Sequence, residues 1–123
     1  MRKDDDAARQ AALDIADCVS SREVAAIEVV TSCLSRVESI NPAVNAFTSV
    51  YRERALAKAS AVDQLVQRGA KLPLAGVPFA VKNLFDVAGK TTVAGSKILA
   101  SNAVSRADAV LVQRIEAQGG VLI

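Results

Sequence analysis

Two apolar, β-compatible runs with a helical pattern between them constrain this 123-residue chain more than any other feature. The first runs from Val77 to Phe85, interrupted only by Lys82 and Asn83, and the second is Val121-Leu122-Ile123. Both read as buried strands. Between them Ser105 is placed to cap a helix, with Asp108 in the box position three residues later. Ala107, Leu111, Ile115 and Gln118 fall along one side of that helix, and Gly119-Gly120 stops it. Strand, helix, strand is a βαβ unit, and such units build parallel sheets packed under helices. The expected fold class is therefore α/β.

Three helical patterns precede this unit. Residues 7–19 repeat apolar groups at Ala8, Ala12, Ile15 and Val19. Ser20-Ser21-Arg22-Glu23 has the form of a capping box for a second helix, with Val24, Ile27, Val30, Leu34 and Val37 on one face. Asn41-Pro42 is expected to end it, because proline drives the preceding residue to extended conformations. Asn45 to Thr48 reads as an extended link. A third helix is expected from about Tyr51 to Arg68, with Ala55, Ala59, Val62 and Val66 aligned and Gly69 left-handed behind it. Leu72 to Pro78 is a turn and entry segment, Asp86 to Lys90 a turn, and Thr91 to Ser96 extended or loop-like. Residues 1–71 thus read as a helical preface and 72–123 as the first strands and crossover helix of an α/β body. The chain stops at the third residue of an apolar strand, so the sheet is expected to be truncated here.

Composition removes several function classes. There is no histidine, which rules out a His triad, a His metal site and a His general base within the chain. Cys18 and Cys33 cannot build a zinc site alone and read as small hydrophobes in a reducing compartment. Neither a metal nor a cofactor is called for. A net charge of +2 with 3% aromatic residues gives no basic, aromatic-studded stripe for nucleic acid. Asp4, Asp5 and Asp6 occupy the place where a signal peptide needs its apolar run. The longest uncharged apolar stretch, Leu72 to Val81, falls well short of the ~20 residues that span a membrane. A cytoplasmic protein with no membrane or nucleic-acid partner is expected.

Lys82 is the one charge in an apolar segment bounded by Leu74 and Leu84. A lysine there either snorkels its head into water or, with its pKa lowered, serves as a general base in a nucleophile system. The C-terminal end of a buried parallel strand favours the second use, since open α/β sheets bind ligands there. Asp86 is a turn-forming aspartate or a charge partner for Lys82, and Gly95-Ser96 is a plain loop or a functional turn. No Gly-rich phosphate loop, carboxylate pair or Gly-x-Ser-x-Gly elbow occurs.

Four stretches, in order and with sensible spacing, carry a resemblance. Pro73-Leu74-Ala75-Gly76-Val77-Pro78-Phe79-Ala80-Val81-Lys82-Asn83 closely resembles the "PLaGvPfavKd" segment of the amidase-signature hydrolases. Thr91-Thr92-Val93-Ala94-Gly95-Ser96 and Arg106 through Ile123 continue the match, and Ile40 to Phe47 looks like the family's "iNpalNAf" link. The resemblance implies a mixed sheet with helices on both faces, preceded by helices, and hydrolysis of an amide-type C–N bond by a Ser, cis-Ser, Lys triad. It implies that Lys82 is the triad lysine, taking a proton from a bridging serine that in turn activates the nucleophilic serine. The expected substrate is a small amide or urea-like molecule, with a helper subunit or a homodimer in the complete enzyme.

The chain departs from the family pattern in one decisive respect. No "GGSSGGS" run is present, and Ser96, Ser101 and Ser105 do not match it, so neither serine role passes to them. Asn83 stands where the family usually has Asp. The "AVKNLFD" stretch resembles the carboxybiuret-hydrolase branch more than the glutamyl-tRNA amidotransferase branch. The leading reading is the N-terminal part of such a hydrolase, inactive by itself. The alternatives are a non-catalytic remnant, a regulatory or binding module, or part of an amidotransferase-type subunit.

Overall fold

Three helices, each burying one stripe, lead into a short parallel sheet. The computed structural model describes residues 11–123. The elements are α1 (Ala12–Ser20), α2 (Ala26–Val44), α3 (Arg52–Gln67), β1 (Pro78–Phe79), a 3₁₀ turn (Leu99–Ser101), α4 (Val110–Ala117) and β2 (Val121–Leu122). The expected start of the first helix, including Ala8, lies outside the described residues. Ile15, Ala16 and Val19 of α1, Val30, Leu34 and Val37 of α2, and Ala55, Ala59, Val62 and Val66 of α3 share one buried cluster. That cluster continues into Ala75, Val77, Val121 and Ile123, so helices and sheet have a common core. Each fully buried Val or Leu contributes roughly 1.5–3 kcal/mol relative to exposure.

The turn between α1 and α2 differs from the expected capping box. Ser20 is the last residue of α1, and the Ser21 hydroxyl donates back to the Cys18 carbonyl at 3.1 Å. Arg22 adopts a left-handed φ of 65°. The first turn of α2 is capped by its own Glu28 and by a carboxylate of α3. Glu28 accepts the Ala25 N–H at 2.9 Å, and the Asp63 carboxylate of α3 accepts the Ala26 and Ile27 N–H groups at 2.7 and 3.1 Å. In return Arg22 donates to the Val66 and Gln67 carbonyls, both at 3.2 Å, at the end of α3. An acid at a helix N-terminus and a base at a C-terminus each complement the helix dipole.

Helix α2 also runs past the proline expected to end it. Pro42 lies inside the helix, and the bond it cannot donate would go to Glu38, exposed like Pro42 itself. Both residues are exposed, so that carbonyl faces solvent and the proline is tolerated in the final turn. The stop comes at Asn45, with φ 50° and its N–H on the Asn41 carbonyl at 2.7 Å. The Asn41 side chain fixes the exit direction, donating to the Phe47 carbonyl at 3.0 Å and accepting its N–H at 2.8 Å. Helix α3 and the left-handed Gly69 behind it fall where the apolar spacing puts them.

The βαβ unit is present with shorter strands than expected. Pro78 and Phe79 pair in parallel with Val121 and Leu122. The Val121 N–H donates to the Val77 carbonyl at 2.8 Å and the Ile123 N–H to the Phe79 carbonyl at 3.1 Å. After Phe79 the chain leaves the ladder, and Lys82 to Phe85 close into a turn through the Phe85 N–H and Lys82 carbonyl at 3.1 Å. Gly76 lets the entry turn dock on α2. Its φ is +70°, and a Cβ there would lie 2.8 Å from the Ala26 Cβ.

The crossover helix starts later than the Ser105 cap implies. Ser105 instead donates its N–H to the Lys90 carbonyl at 2.9 Å, and α4 begins at Val110 with Ala109 as its N-cap. Val112 is its buried anchor, whereas Leu111 is exposed. Asp108 is drawn away from capping by Arg54 of α3, which donates to both of its carboxylate oxygens at 2.9 and 2.7 Å. Arg54 also donates to Glu116 of α4 at 3.0 Å, and Asp108 accepts the Ala88 N–H at 2.9 Å.

Two predictions test these joints. Asp63→Ala leaves two helix N–H donors without their acceptor, and losing such a cap costs about 1 kcal/mol, up to ~2. Urea unfolding followed by circular dichroism should show that loss, with Asp63→Asn losing less. The second concerns Asp108, whose carboxyl the Arg54 guanidinium holds below the usual range, helped by the Ala88 N–H. A carboxyl with a depressed folded pKa contributes stability above its unfolded value of about 3.9 and loses it as pH falls through the folded value. The stability gap between the wild type and Asp108→Asn should be widest at neutral pH and shrink on acidification below about 4. A gap that does not change with pH would show that Asp108 is not held ionised by Arg54.

Candidate active site

The sheet ends on a cleft. At the C-terminal end of β1 and β2 lies an open cavity of about 470 Å³, walled by the 46–51 link and by residues 80–92. Its floor is a second apolar cluster in which Val87, Val112 and Leu122 are buried and Tyr51, Phe79 and Phe85 pack against them. Parallel α/β sheets bind ligands at this end of their strands.

Lys82 lines this cleft, in the turn that follows β1. The side chain is exposed, contrary to the expectation of a lysine within a buried strand. The Lys82 carbonyl accepts the Phe85 N–H at 3.1 Å, so Lys82 opens a turn and lies outside the strand. Among the described residues no carboxylate lies within ion-pair distance of Lys82. Asp86 in particular is engaged elsewhere. Its carboxylate accepts the Thr92 hydroxyl, and its carbonyl accepts the Ala109 N–H at 2.8 Å to start α4. Hydrogen bonds from the Thr92 and then the Ser105 hydroxyl hold its carboxyl below the usual range. Asp86 is thus the turn-forming residue and not the partner of Lys82.

Asn83, beside the lysine, fixes the opposite rim. Its side-chain oxygen accepts the Val93 N–H at 3.2 Å and its carbonyl accepts the Ala94 N–H at 2.9 Å. Ala94 and Gly95 then turn through positive φ values of 48° and 73°, so Gly95-Ser96 is a loop. Ser96, Ser101 and Ser105 are not on the wall of the cleft, which agrees with assigning none of them a nucleophilic role. Ser49, in the exposed link, is the serine that lines it.

Two residues of the site were not legible in the sequence. Lys90 reads there as an ordinary turn residue, yet its ammonium lies 5.6 Å from the centre of the Tyr51 ring, on the cleft wall. Arg54 carries no local signal, because its partner Asp108 is 54 positions away. Cys18 and Cys33 are free and half-buried, and burial pushes the Cys33 thiol up, away from the reactive thiolate. Among the described residues no cluster of His, Cys, Asp and Glu could hold a metal, and no helix is long and apolar enough to cross a membrane.

Known proteins share both the sequence and this geometry. Residues 28–123 match the amidase family. The chain is 46% identical over 112 residues to AtzE, the 1-carboxybiuret hydrolase subunit of Pseudomonas sp. (strain ADP), covering 90% of this chain and 24% of that one. It is 42% identical over 113 residues to the A subunit of the glutamyl-tRNA(Gln) amidotransferase of Streptomyces coelicolor, covering 91% of this chain and 22% of that one. A solved vestigial protein complex, which reveals the evolutionary origins of an s-triazine catabolic enzyme, superposes with a TM-score of 0.89 at 46% identity, over 92% of this chain and 25% of its own. Fatty acid amide hydrolase shares the fold alone, with a TM-score of 0.91 at 19% identity over 99% of this chain and 22% of its own. The chain spans about a quarter of the length of these relatives. With its sequence match over residues 28–123 and its shared fold, the chain belongs to the amidase-signature family.

Proposed function

We propose that the cleft is one wall of an amide-hydrolysing active site and that Lys82 is its general base. The observation that carries this reading is the place of Lys82, in the cleft at the C-terminal end of β1 and within the family's lysine segment. In the proposed reaction the uncharged amine takes a proton from a bridging serine, which takes one from the nucleophilic serine. The nucleophile attacks the amide carbonyl, the C–N bond breaks, and the amine leaves with a proton returned along the same relay. Water then hydrolyses the acyl-enzyme. Both serines would lie outside the matched quarter of the relatives, since no run of the family's serine-rich form occurs in this chain.

The proposed substrate is a small amide or urea-like molecule, because identity to the carboxybiuret hydrolase relative, 46%, exceeds that to the amidotransferase relative, 42%. Both relatives are named as subunits, so a helper protein is the proposed partner. Residues 1–71 would act as the helical preface and 72–123 as the start of the catalytic body.

A chimera tests this reading. Residues 12–123 replace the matching segment of the carboxybiuret hydrolase relative, and ammonia or amine release is measured from amides, ureas and biurets. The chimera should be active and the isolated 123-residue chain inactive, for want of a nucleophile and an oxyanion hole. Lys82→Ala should lower kcat by about 10²–10⁴ with little change in KM. Lys82→Arg should not rescue, because a guanidinium stays protonated. Lys71→Ala and Lys97→Ala, outside the cleft, should be near neutral. A folded chimera with full kcat in Lys82→Arg overturns the base assignment.

A further inference from the structure

We propose that Lys90 is a specificity residue of the cleft, selecting amides that carry a carboxylate or a similar anionic group. This deepens the reading of the cleft as an amidase site and rests on it. Charge is the first observation. The residues lining the cleft include no Asp or Glu, and beside the proposed base Lys82 the cleft carries the ammonium of Lys90. A concave site with one sign of charge on low-dielectric walls concentrates its field on a ligand of the opposite sign.

Restraint of Lys90 is the second observation. An exposed turn lysine ordinarily extends into water, whereas this one lies over a ring. The Lys90 N–H donates to the Val87 carbonyl at 3.0 Å, and its carbonyl accepts the Ser105 N–H at 2.9 Å, so its backbone is tied on both sides. Tyr51, under the ammonium, is itself packed against the buried Val87, Val112 and Leu122. A cation over a ring face is attracted electrostatically without occupying its N–H donors. The three donors of Lys90 therefore stay available to an anion. Among the described residues no carboxylate pairs with Lys90, and Asp86, the acid nearest in sequence, is turned toward Thr92. Lys82 and Lys90 both line the wall built by residues 80–92.

Binding can be read without turnover. The ¹⁵N-labelled full chain is titrated with succinamate and with succinamide, which replaces the carboxylate by a neutral group of the same shape. Succinamate should shift the amides of Tyr51, Lys90, Thr91 and Thr92 and bind about fivefold more tightly, the scale of one partly exposed ion pair. Added salt should narrow that preference. Lys90→Gln should abolish it, Lys90→Arg should keep it, and Lys82→Gln should leave it in place. Equal binding of the two amides, or a preference that survives Lys90→Gln, overturns the assignment. So does a preference lost in Lys82→Gln but kept in Lys90→Gln. Full chimera activity in Lys82→Arg would remove the proposed base, whereas equal binding beside an intact Lys82 effect removes the Lys90 assignment alone.

Discussion

The guanidinium of Arg54 joins the helical layer to the sheet segment, and the geometry of the cleft follows from it. It spans from α3 to Asp108 and Glu116, with 28% of its own side chain exposed and 16% of each partner's. In such a partly buried triad, removing one member costs more than the pair is worth, because the others keep their desolvation penalty. The consequences run outward by hydrogen bonds. Asp108 fixes the Ala88 N–H, the neighbouring Ala109 N–H sits on the Asp86 carbonyl, and the Asp86 carboxylate holds Thr92 on the cleft wall. Losing Arg54 would therefore loosen the rim of the cleft as well as weaken the contact between layers.

Helix α3 can act as this strut because its buried face is small. Ala55 and Ala59 are fully buried beside Val62, and short side chains let neighbouring backbones approach. Its two halves carry opposite duties. Arg54, near the start, reaches toward α4, while Asp63, near the end, reaches the first turn of α2. Arg22 closes the same joint from the other side, so the ends of α2 and α3 satisfy each other's unpaired backbone groups. The helical preface is therefore a braced support for the strand-end turns.

What is legible in the sequence and what is hidden divide by range. The stripes Ile15, Val19, then Val30, Leu34, Val37, then Ala55, Ala59, Val62, Val66 can be read directly because helical periodicity is local. So can the βαβ order. The cap on α2 escapes a local reading because Asp63 stands 37 positions from Ala26, and a nearby Ser-Ser-Arg-Glu matches the local rule. The start of α4 escapes it for a similar reason, since Asp108 has a stronger partner in Arg54 than in a capping box. Pro42 fails as a stop because the one bond it removes faces water. The first strand is shorter than its apolar run because Lys82 to Phe85 close into a turn, which apolar composition does not signal.

The short strand bears on how a lysine could serve as base here. Had the strand continued to Phe85, alternation would have fixed Lys82 on one face of a packed layer. Instead it leaves the sheet with a free approach to the cleft, beside Asn83, which holds the 93–94 backbone. The neighbouring cation is built differently. Lys90 is tied through its backbone and laid on Tyr51, which suits holding a charge in place more than exchanging a proton. A base must approach, release and re-form its contact with a serine hydroxyl through the catalytic cycle, and a turn outside the ladder allows that movement. An anchor must not move, or the amide drifts from the attacking oxygen, and misplacement by about 1 Å can cost 10²-fold in rate. The two lysines differ in the physical property that each proposed role requires.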